Sequence, residues 1–254
     1  MKRNLCIILT FLLCLGVLFP ISASAETFKL SNTDMSLDVD TELWYVFTRD
    51  NIENNPELDE LDISYDTMYN NFHTNGVYMD ALLILDESNY VELFIRKKEL
   101  NSKVANLSNY DYDEVMDLAT ELAETQGAKD YSVYEDDYKF AKLEYIDAGM
   151  YLCEYVTIVN KDNYTLTFQS TTPYTDAEYE EIEKIVNSIE FDVDTSLKEG
   201  NKDSFWNSII AKAIGGAIVG GLAGFVISLI AKKRKNKNTP AQQDNITNEN
   251  NINT

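Results

Sequence analysis

The sequence predicts an α+β domain, a mainly antiparallel sheet covered by helices, followed by one C-terminal transmembrane helix. Alternating apolar and polar residues recur through residues 26–192, with the period of two that half-buried strands show. Amphipathic stretches with a period near 3.6 interrupt these runs. Residues 213–231 are uncharged throughout, which is long enough for a helix to cross a hydrocarbon core of about 30 Å.

The predicted strands form an antiparallel meander in which short polar turns join neighbouring strands. They are Met35 to Val39, Leu43 to Thr48, Ala81 to Leu85, Tyr90 to Arg96, Phe140 to Ile146, Met150 to Val159 and Tyr164 to Gln169. Residues 86–89 and 160–163 consist of Asp, Asn, Ser, Glu and Lys, and the first three types are typical of hairpin loops. Local antiparallel pairing therefore accounts for most of the predicted sheet.

Three helices are predicted between and after these strands. Residues 111–114 and 175–178 each carry Asp or Thr three positions before Glu. This is the spacing of a capping box, in which two side chains satisfy the first backbone N–H groups of a helix. The first of these helices is predicted to end at Gly127, since glycine commonly terminates helices. A weaker third helix is predicted from Ser64 to Thr74.

The order of elements resembles the Mog1/PsbP-like α/β/α sandwich. Residues 36–44 form an acidic strand that leads to a tryptophan, and residues 185–191 close the domain on a helix. In place of the Pro-x-Gly that usually precedes the family's tryptophan, residues 40–43 read Asp-Thr-Glu-Leu. The resemblance covers about residues 27–192 and implies an exported, membrane-anchored bacterial protein with a non-catalytic binding or assembly role. Because fold does not fix function, it assigns no site residue.

The first 25 residues are predicted to be a signal peptide. Two basic residues precede the apolar run of residues 5–18, and Ala23 and Ala25 supply the small residues of a cleavage site. The exported α+β domain is therefore predicted to span residues 26–192. An uncleaved N-terminal anchor is the alternative.

The C-terminal part is predicted to hold the protein in the membrane. Residues 193–206 are a polar linker ending in two interfacial aromatic residues, and residues 207–231 are the transmembrane helix. The residues that follow the helix are Lys232, Lys233, Arg234 and Lys235. Positive residues stay on the cytoplasmic side, so the domain is predicted to lie outside the cell membrane. Residues 232–254 form this basic flank and a polar tail that is too poor in apolar residues to fold.

Small residues recur along the predicted membrane helix. Gly216, Gly220 and Gly224 are spaced by four, which places them on one helix face and lets a second helix approach closely. We therefore expect this face to pack against a second copy or against another membrane protein. The alternative is that glycine is simply frequent in membrane helices.

The predicted exported part is strongly acidic. Of the 43 acidic residues of the chain, 41 lie between residues 26 and 206, against 13 of its 21 basic residues, so this part is about 28 charges negative. Such a field disfavours nucleic acid as a partner and attracts cationic partners. High solubility is the simpler interpretation of the same charge.

The composition argues against an enzyme. His73 is the single histidine, and Cys153 is the single cysteine once a signal peptide carrying Cys6 and Cys14 is removed. A hydrolytic triad would have to use His73, and nothing near it in the sequence marks a nucleophile elbow or an orienting partner. One histidine and one cysteine also disfavour a zinc site. We expect Cys153 to be a buried structural thiol, because its neighbours alternate like a strand. Lipidation at Cys14 is disfavoured by the bulky leucine before it.

No cofactor is expected, and calcium is the best metal candidate. Residues 38–40, 111–114 and 135–137 are acidic clusters, but none has the spacing of an EF-hand loop. Weak, diffuse Ca²⁺ binding is the expectation.

The sequence thus predicts a single-pass cell-envelope protein that displays an acidic, non-catalytic binding domain. One alternative is an accessory subunit of a membrane transport or secretion complex, docked through its helix. Another is an extracytoplasmic hydrolase, which the single histidine disfavours.

Replacing Gly220 by Ile tests the glycine face. The branched side chain keeps two helix backbones apart, so we expect self-association in a membrane two-hybrid assay to fall to background. Val219→Ile adds bulk off the glycine face and serves as the control. An unchanged signal for Gly220→Ile would exclude association through this face.

Overall fold

The computed structural model describes residues 25–86, 88–99 and 104–198. The strands are β1 (Ala25–Lys29), β2 (Met35–Asp40), β3 (Trp44–Thr48), β4 (Val77–Ile84), β5 (Tyr90–Glu99), β6 (Asp130–Glu135), β7 (Lys139–Asp147), β8 (Met150–Val159), β9 (Asp162–Ser170) and β10 (Glu190–Phe191). The helices are α1 (Pro56–Glu60), α2 (Tyr65–Thr74), α3 (Tyr112–Gln126) and α4 (Asp176–Asn187). A short 3₁₀ turn, Leu107–Asn109, precedes α3.

Two antiparallel sheets organise these elements. The larger sheet has seven strands in the order β3-β4-β5-β9-β8-β7-β6, and the smaller has the order β1-β2-β10. Within the large sheet β9 pairs with β5 along its whole length, from Val91 opposite Ser170 to Glu99 opposite Asp162. This single long-range pairing joins the β3–β5 half to the β6–β9 half. The predicted antiparallel sheet is confirmed, and the second sheet is an addition.

Helices and the small sheet cover the two faces of the large sheet. On one face, α4 and β2 pack against β4, β5, β8 and β9 in a cluster that includes Leu37, Ile182, Tyr155 and Phe168. On the other face, the apolar stripe of α3 packs against β7 and β8. The helix α2 closes a third, smaller cluster around Phe72. The central strands are therefore buried from both sides.

Both predicted capping boxes are present. The side chain of Asp111 accepts from the backbone N–H of Glu114, whose carboxylate accepts from the backbone N–H of Asp111. Thr175 and Glu178 make the same reciprocal pair at the start of α4. The predicted end of α3 is also confirmed, because Gly127 adopts the left-handed conformation with φ of 72°.

The turn between β8 and β9 is tighter than predicted. Asn160 and Lys161 both have positive φ, 54° and 70°, which is the backbone of a two-residue type I′ hairpin. The strand β9 therefore begins at Asp162, inside the predicted loop of residues 160–163. The polar residues at this point suggested a longer loop, but the ladder to β5 extends the strand.

The strands β1, β6 and β10 and the helix α1 were not predicted from the sequence. The edge strand β6 carries alternating polar and apolar residues, but Asp136 and Asp137 beside it gave the segment a loop-like composition. The strands β1 and β10 both pair with β2, and only tertiary structure shows that pairing. The helix α1 is five residues long, too short for a periodic pattern.

Several predictions fall outside the described residues. They concern the signal peptide with Ala23, the transmembrane helix with Gly216, Gly220 and Gly224, and the basic flank from Lys232 to Lys235. Within the part of the chain that the structure describes, no helix is long and apolar enough to cross a membrane.

Replacing Gly127 by Ala tests the left-handed end of α3. A Cβ at this position would meet no atom within 4 Å, so the cost is conformational and we expect a loss of about 1 kcal/mol in the free energy of unfolding. Gly127→Asn is the control, since Asn tolerates this conformation better and should cost less. Urea unfolding of both variants gives the comparison, and equal stabilities would contradict the interpretation.

Candidate functional site

An open cavity of about 350 Å³ lies at one end of the large sheet. It forms where the β7–β8 hairpin, the start of β6, the end of α3 and the loop before α4 meet. Its lining residues are Gly127, Lys129, Asp130, Glu144, Tyr145, Ile146, Tyr151, Leu152, Pro173, Tyr174 and Tyr179. Four tyrosines and residues of both charges thus converge from separate parts of the chain, the arrangement that binding cavities favour.

The strand register places the polar residues beneath this cavity. Glu144 on β7 lies opposite Cys153 on β8, and Lys142 lies opposite Tyr155. Residues two apart on a strand share a face, so Lys142 and Glu144 both point toward α4. The first turns of α4 bring Tyr179 over them.

A charged network forms one wall of the cavity. The ammonium of Lys142 lies 3.1 Å from Glu144 Oε1, and the hydroxyl of Tyr179 donates to Glu144 Oε2 at 2.7 Å. The same ammonium lies 5.1 Å from the centre of the Tyr179 ring and 5.6 Å from that of Tyr155, within reach of cation–π attraction. Both oxygens of Glu144 are therefore engaged inside the protein.

Burial and charge together shift the acidities of this network. Burial lowers the pKa of Lys142, but the neighbouring Cys153 and Glu144 outweigh it and leave the pKa raised. Burial and the hydrogen bond to Glu144 raise the pKa of Tyr179. Lys142 is accordingly a charged ammonium and Tyr179 a neutral phenol at neutral pH.

Cys153 lies under this network and is not a nucleophile. Its side chain is fully buried, and burial raises its pKa to about 12. A thiolate is the reactive form of cysteine, so this thiol is inert at neutral pH. The buried structural role predicted from the sequence is confirmed.

Contacts of Tyr174 with Tyr151 and Tyr179 hold a second wall of the cavity in place. The hydroxyl of Tyr174 donates to the backbone carbonyl of Tyr151 at 3.1 Å, and the rings of Tyr174 and Tyr179 are 5.3 Å apart. Ile146, by contrast, is 60% exposed at the tip of the β7–β8 hairpin. The cavity therefore has fixed aromatic walls and one exposed apolar rim residue.

A second depression, of about 640 Å³, surrounds α1. One continuous segment, residues 52–65, supplies its lining. Because this lining is contiguous in the sequence, no polar groups converge there from distant parts of the chain.

The opposite face of the large sheet carries a buried polar belt, which we define as Asp80, Glu92, Arg96, Glu154, Thr167 and Gln169. Gln169 Nε2 donates to Glu92 Oε2. Thr167 Oγ1 donates to Glu154 Oε1 at 2.9 Å and accepts from the Arg96 guanidinium at 3.3 Å. Asp80, Glu92 and Glu154 are at most 3% exposed. The belt is therefore internal, and no external ligand reaches its carboxyl groups in this conformation.

Burial controls ionisation in the polar belt. It raises the pKa of Asp80 to about 8. Burial, reinforced by the nearby Asp80 carboxylate, raises the pKa of Glu92 well above its ordinary value. Burial also raises the pKa of Glu154, although the hydrogen bond from Thr167 and the charge of Arg96 oppose it. The Asp80–Glu92 pair therefore keeps a proton at neutral pH.

Neither the cavity nor the polar belt was predicted from the sequence. A signal for the belt was present, since Asp80, Glu92 and Glu154 each interrupt an otherwise apolar run of a strand. The cavity left no local signal, because its walls come from five separate elements.

His73 is where the sequence placed it, on the exposed end of a helix. Its Nδ1 lies 2.9 Å from the carbonyl oxygen of Tyr69, and its ring stacks on that tyrosine with the ring centres 3.9 Å apart. No residue of α2 lines the tyrosine-lined cavity.

The acidic clusters considered for calcium remain separate. Asp38 accepts from Thr27 at 2.5 Å, and Asp111 is used in capping α3. Glu135 pairs with Lys139 at 3.5 Å. Among the described residues, no group of three or more Asp, Glu, His or Cys side chains is arranged to hold a metal ion.

Comparisons with known proteins give a structural similarity and no family match. No family model matches the chain, and no curated protein matches it. Among solved structures, the chain is similar to the solution structure of cyanobacterial PsbP (CyanoP) from Synechocystis sp. PCC 6803, with 11% sequence identity and a TM-score of 0.38. The match covers 69% of this chain and 99% of that chain. This likeness concerns the PsbP-like fold alone and carries no function to this chain.

The raised pKa of Asp80 predicts a stability that falls as pH rises. An unfolded Asp has a pKa of about 4, whereas burial raises the pKa of folded Asp80 to about 8. Between these values the folded state binds more protons, so the free energy of unfolding should decrease by up to about 1.4 kcal/mol per pH unit. The stabilisation is complete below about pH 4 and lost above about pH 8.

Asp80→Asn removes this titration and should make the decrease in unfolding free energy between pH 5 and pH 8 shallower, leaving the share that the buried Glu92 contributes. Asp117→Asn, on the exposed face of α3, is the charge-matched control and should retain the wild-type slope. Urea unfolding followed by tryptophan fluorescence measures both. A wild-type slope in Asp80→Asn would show that Asp80 is not the responsible group.

Proposed function

We propose that this chain is a single-pass, membrane-anchored cell-envelope protein whose acidic domain lies outside the membrane and binds a protein partner. The observation that carries the proposal is the tyrosine-lined cavity, in which Lys142 and Tyr179 hold the Glu144 carboxylate. Tyrosines provide large apolar contact area with a polar tip, and they are enriched at protein interfaces for that reason.

The cavity is better suited to binding than to chemistry. A general acid or base needs a proton to exchange with substrate, but Glu144 is held by both Lys142 and Tyr179. A nucleophile needs an activated form, and burial keeps Cys153 as a thiol. Such a closed network gives the cavity a fixed shape, which lowers the ordering cost of binding.

A hydrolase remains a weaker candidate than a binding domain. The single histidine lies on α2 with its Nδ1 against the carbonyl oxygen of Tyr69, and it is absent from the cavity lining. The alternative site would be the polar belt, whose carboxyl groups are enclosed.

Membrane anchoring in this proposal rests on the sequence. The signal-peptide pattern ends at Ala25, which is also the first residue of β1, and the next residue, Glu26, lies opposite Val39 on β2. At the other end, the described domain reaches residue 198, ahead of the predicted linker and of the apolar segment 207–231. The acidic domain and the membrane segment are thus consecutive parts of the chain.

Photo-crosslinking in cells tests the binding proposal. A photoreactive residue at Ile146, on the cavity rim, should yield a covalent adduct with a different protein, whereas one at Tyr112, which is also exposed but lies on α3, should yield little. Adducts at neither position would contradict a protein-binding domain.

The same experiment separates the accessory-subunit alternative. A probe at Val219 in the predicted membrane helix should capture a membrane protein if the helix is the docking element. Replacing residues 213–231 by a plain leucine helix should then abolish capture at Val219 and leave capture at Ile146 unchanged if the outer domain binds independently.

A further inference from the structure

We propose that the outer edge of β6 is the docking site for an extended, positively charged protein segment, which pairs with it as an eighth strand of the large sheet. This inference rests on the binding function proposed above and names its geometry and the chemistry of its partner. An exposed strand edge offers a row of backbone donors and acceptors, and partner strands bind such edges by strand addition.

The two edge strands of the large sheet, β3 and β6, differ in whether their outer backbone groups are already hydrogen-bonded. At β3 the side chain of Asn51 accepts from the N–H of Thr48 at 2.6 Å and donates to the carbonyl of Val46 at 2.9 Å. Asn51 thus occupies backbone groups that a further strand would use. At β6 the pairing is with β7 alone, and no described strand lies on its other side.

The side chains of β6 suit an incoming strand. Tyr131 is 43% exposed, and a partner strand would cover it in the way that cross-strand aromatic pairs are covered. Tyr134 is already fixed, because its hydroxyl donates to Asn187 at 2.5 Å and its ring packs edge-on against Tyr155. In β6, Tyr134 is therefore held by packing and a hydrogen bond, whereas the Tyr131 side chain is uncovered.

The tyrosine-lined cavity opens directly beside this edge. Lys129 and Asp130, which begin β6, are also part of the cavity lining. A segment paired along Asp130–Glu135 therefore passes the cavity mouth at one end of the strand. Strand pairing supplies affinity from the backbone, and the cavity supplies specificity for a side chain.

Charge identifies the partner as cationic. Asp136 and Asp137 are exposed in the turn that follows β6, and Asp130 is exposed at its start. Glu135 is paired with Lys139, so the uncompensated charge at the edge is mostly negative. A second copy of this chain would bring the same acidic surface against itself, which like-charge repulsion disfavours.

The edge of the small sheet is a poorer candidate. The strand β1 is unpaired on its outer side within the described residues, but none of its side chains is among the large exposed apolar ones. Neither of the two described cavities includes a residue of β1.

A photoreactive residue at Glu135 in the full-length chain, expressed in cells, reports on the β6 edge. We expect an adduct with a heterologous protein, and mass spectrometry should place the crosslink in a segment rich in Lys or Arg. Tyr131→Lys adds a charge to the edge, a natural protection against strand addition, and should lower the adduct yield about tenfold. Tyr112→Lys, on α3, is the control and should leave the yield unchanged.

A second variant tests the charge without altering the strand. Replacing Asp136 and Asp137 together by Asn should reduce the yield at Glu135 several-fold, whereas Asp117→Asn should not. Raising the salt concentration during crosslinking should likewise reduce the yield, because salt screens exposed charges.

The outcomes separate this inference from the proposed function. An adduct at Ile146 but none at Glu135 overturns strand addition and leaves a cavity-binding domain. A self-crosslink at Glu135, or a yield insensitive to the aspartates, overturns the cationic partner. The absence of adducts at both positions overturns the binding function itself.

Discussion

The pairing of β5 with β9 is the constraint on which the rest of the structure depends. It joins two stretches of chain about seventy residues apart, and it runs through the middle of the seven-stranded sheet. Loop closure over such a distance costs entropy, which burial on both faces of the sheet must offset. The helix α3 covers one face, and α4 with the small sheet covers the other. Each covering element therefore contributes burial that helps to keep the two halves paired.

Burial of the central strands from both sides also explains the polar belt. A strand covered on one face can turn its polar residues to water, but β5, β8 and β9 have no such face. Glu92, Gln169, Thr167 and Glu154 consequently bond to one another inside the protein. Replacing such groups by apolar residues often preserves stability in other proteins. We infer that here the pairs Glu92–Gln169 and Glu154–Thr167 help to select the register between the strands that carry them.

The two polar regions of the domain have different consequences for function. The polar belt holds protons in an enclosed space, so it affects stability and pH dependence. The network of Lys142, Glu144 and Tyr179 lies at a cavity that opens to solvent. This cavity lies beside the outer edge of β6, which no described strand covers. Because Lys142 and Tyr179 both bind Glu144, this network fixes the shape of the cavity wall and supplies no reactive group. In the proposed function, the acidic field brings a cationic partner to this end of the sheet, and the predicted membrane helix keeps the domain at the cell surface.

Elements whose signals are local were predictable from the sequence. Capping boxes, the glycine at the end of α3 and the alternating strands from Met35 to Phe168 depend on residues within a few positions of one another. The same holds for the acidic charge and for the alternation that predicted a buried Cys153. The signal and membrane segments also rest on local patterns and stay predictions. The second sheet, the pairing of β1 and β10 with β2, the β6 edge that no described strand covers and the cavity became visible only in the folded structure. Each of these depends on residues far apart in the chain, and no short-range pattern records which distant strands lie side by side.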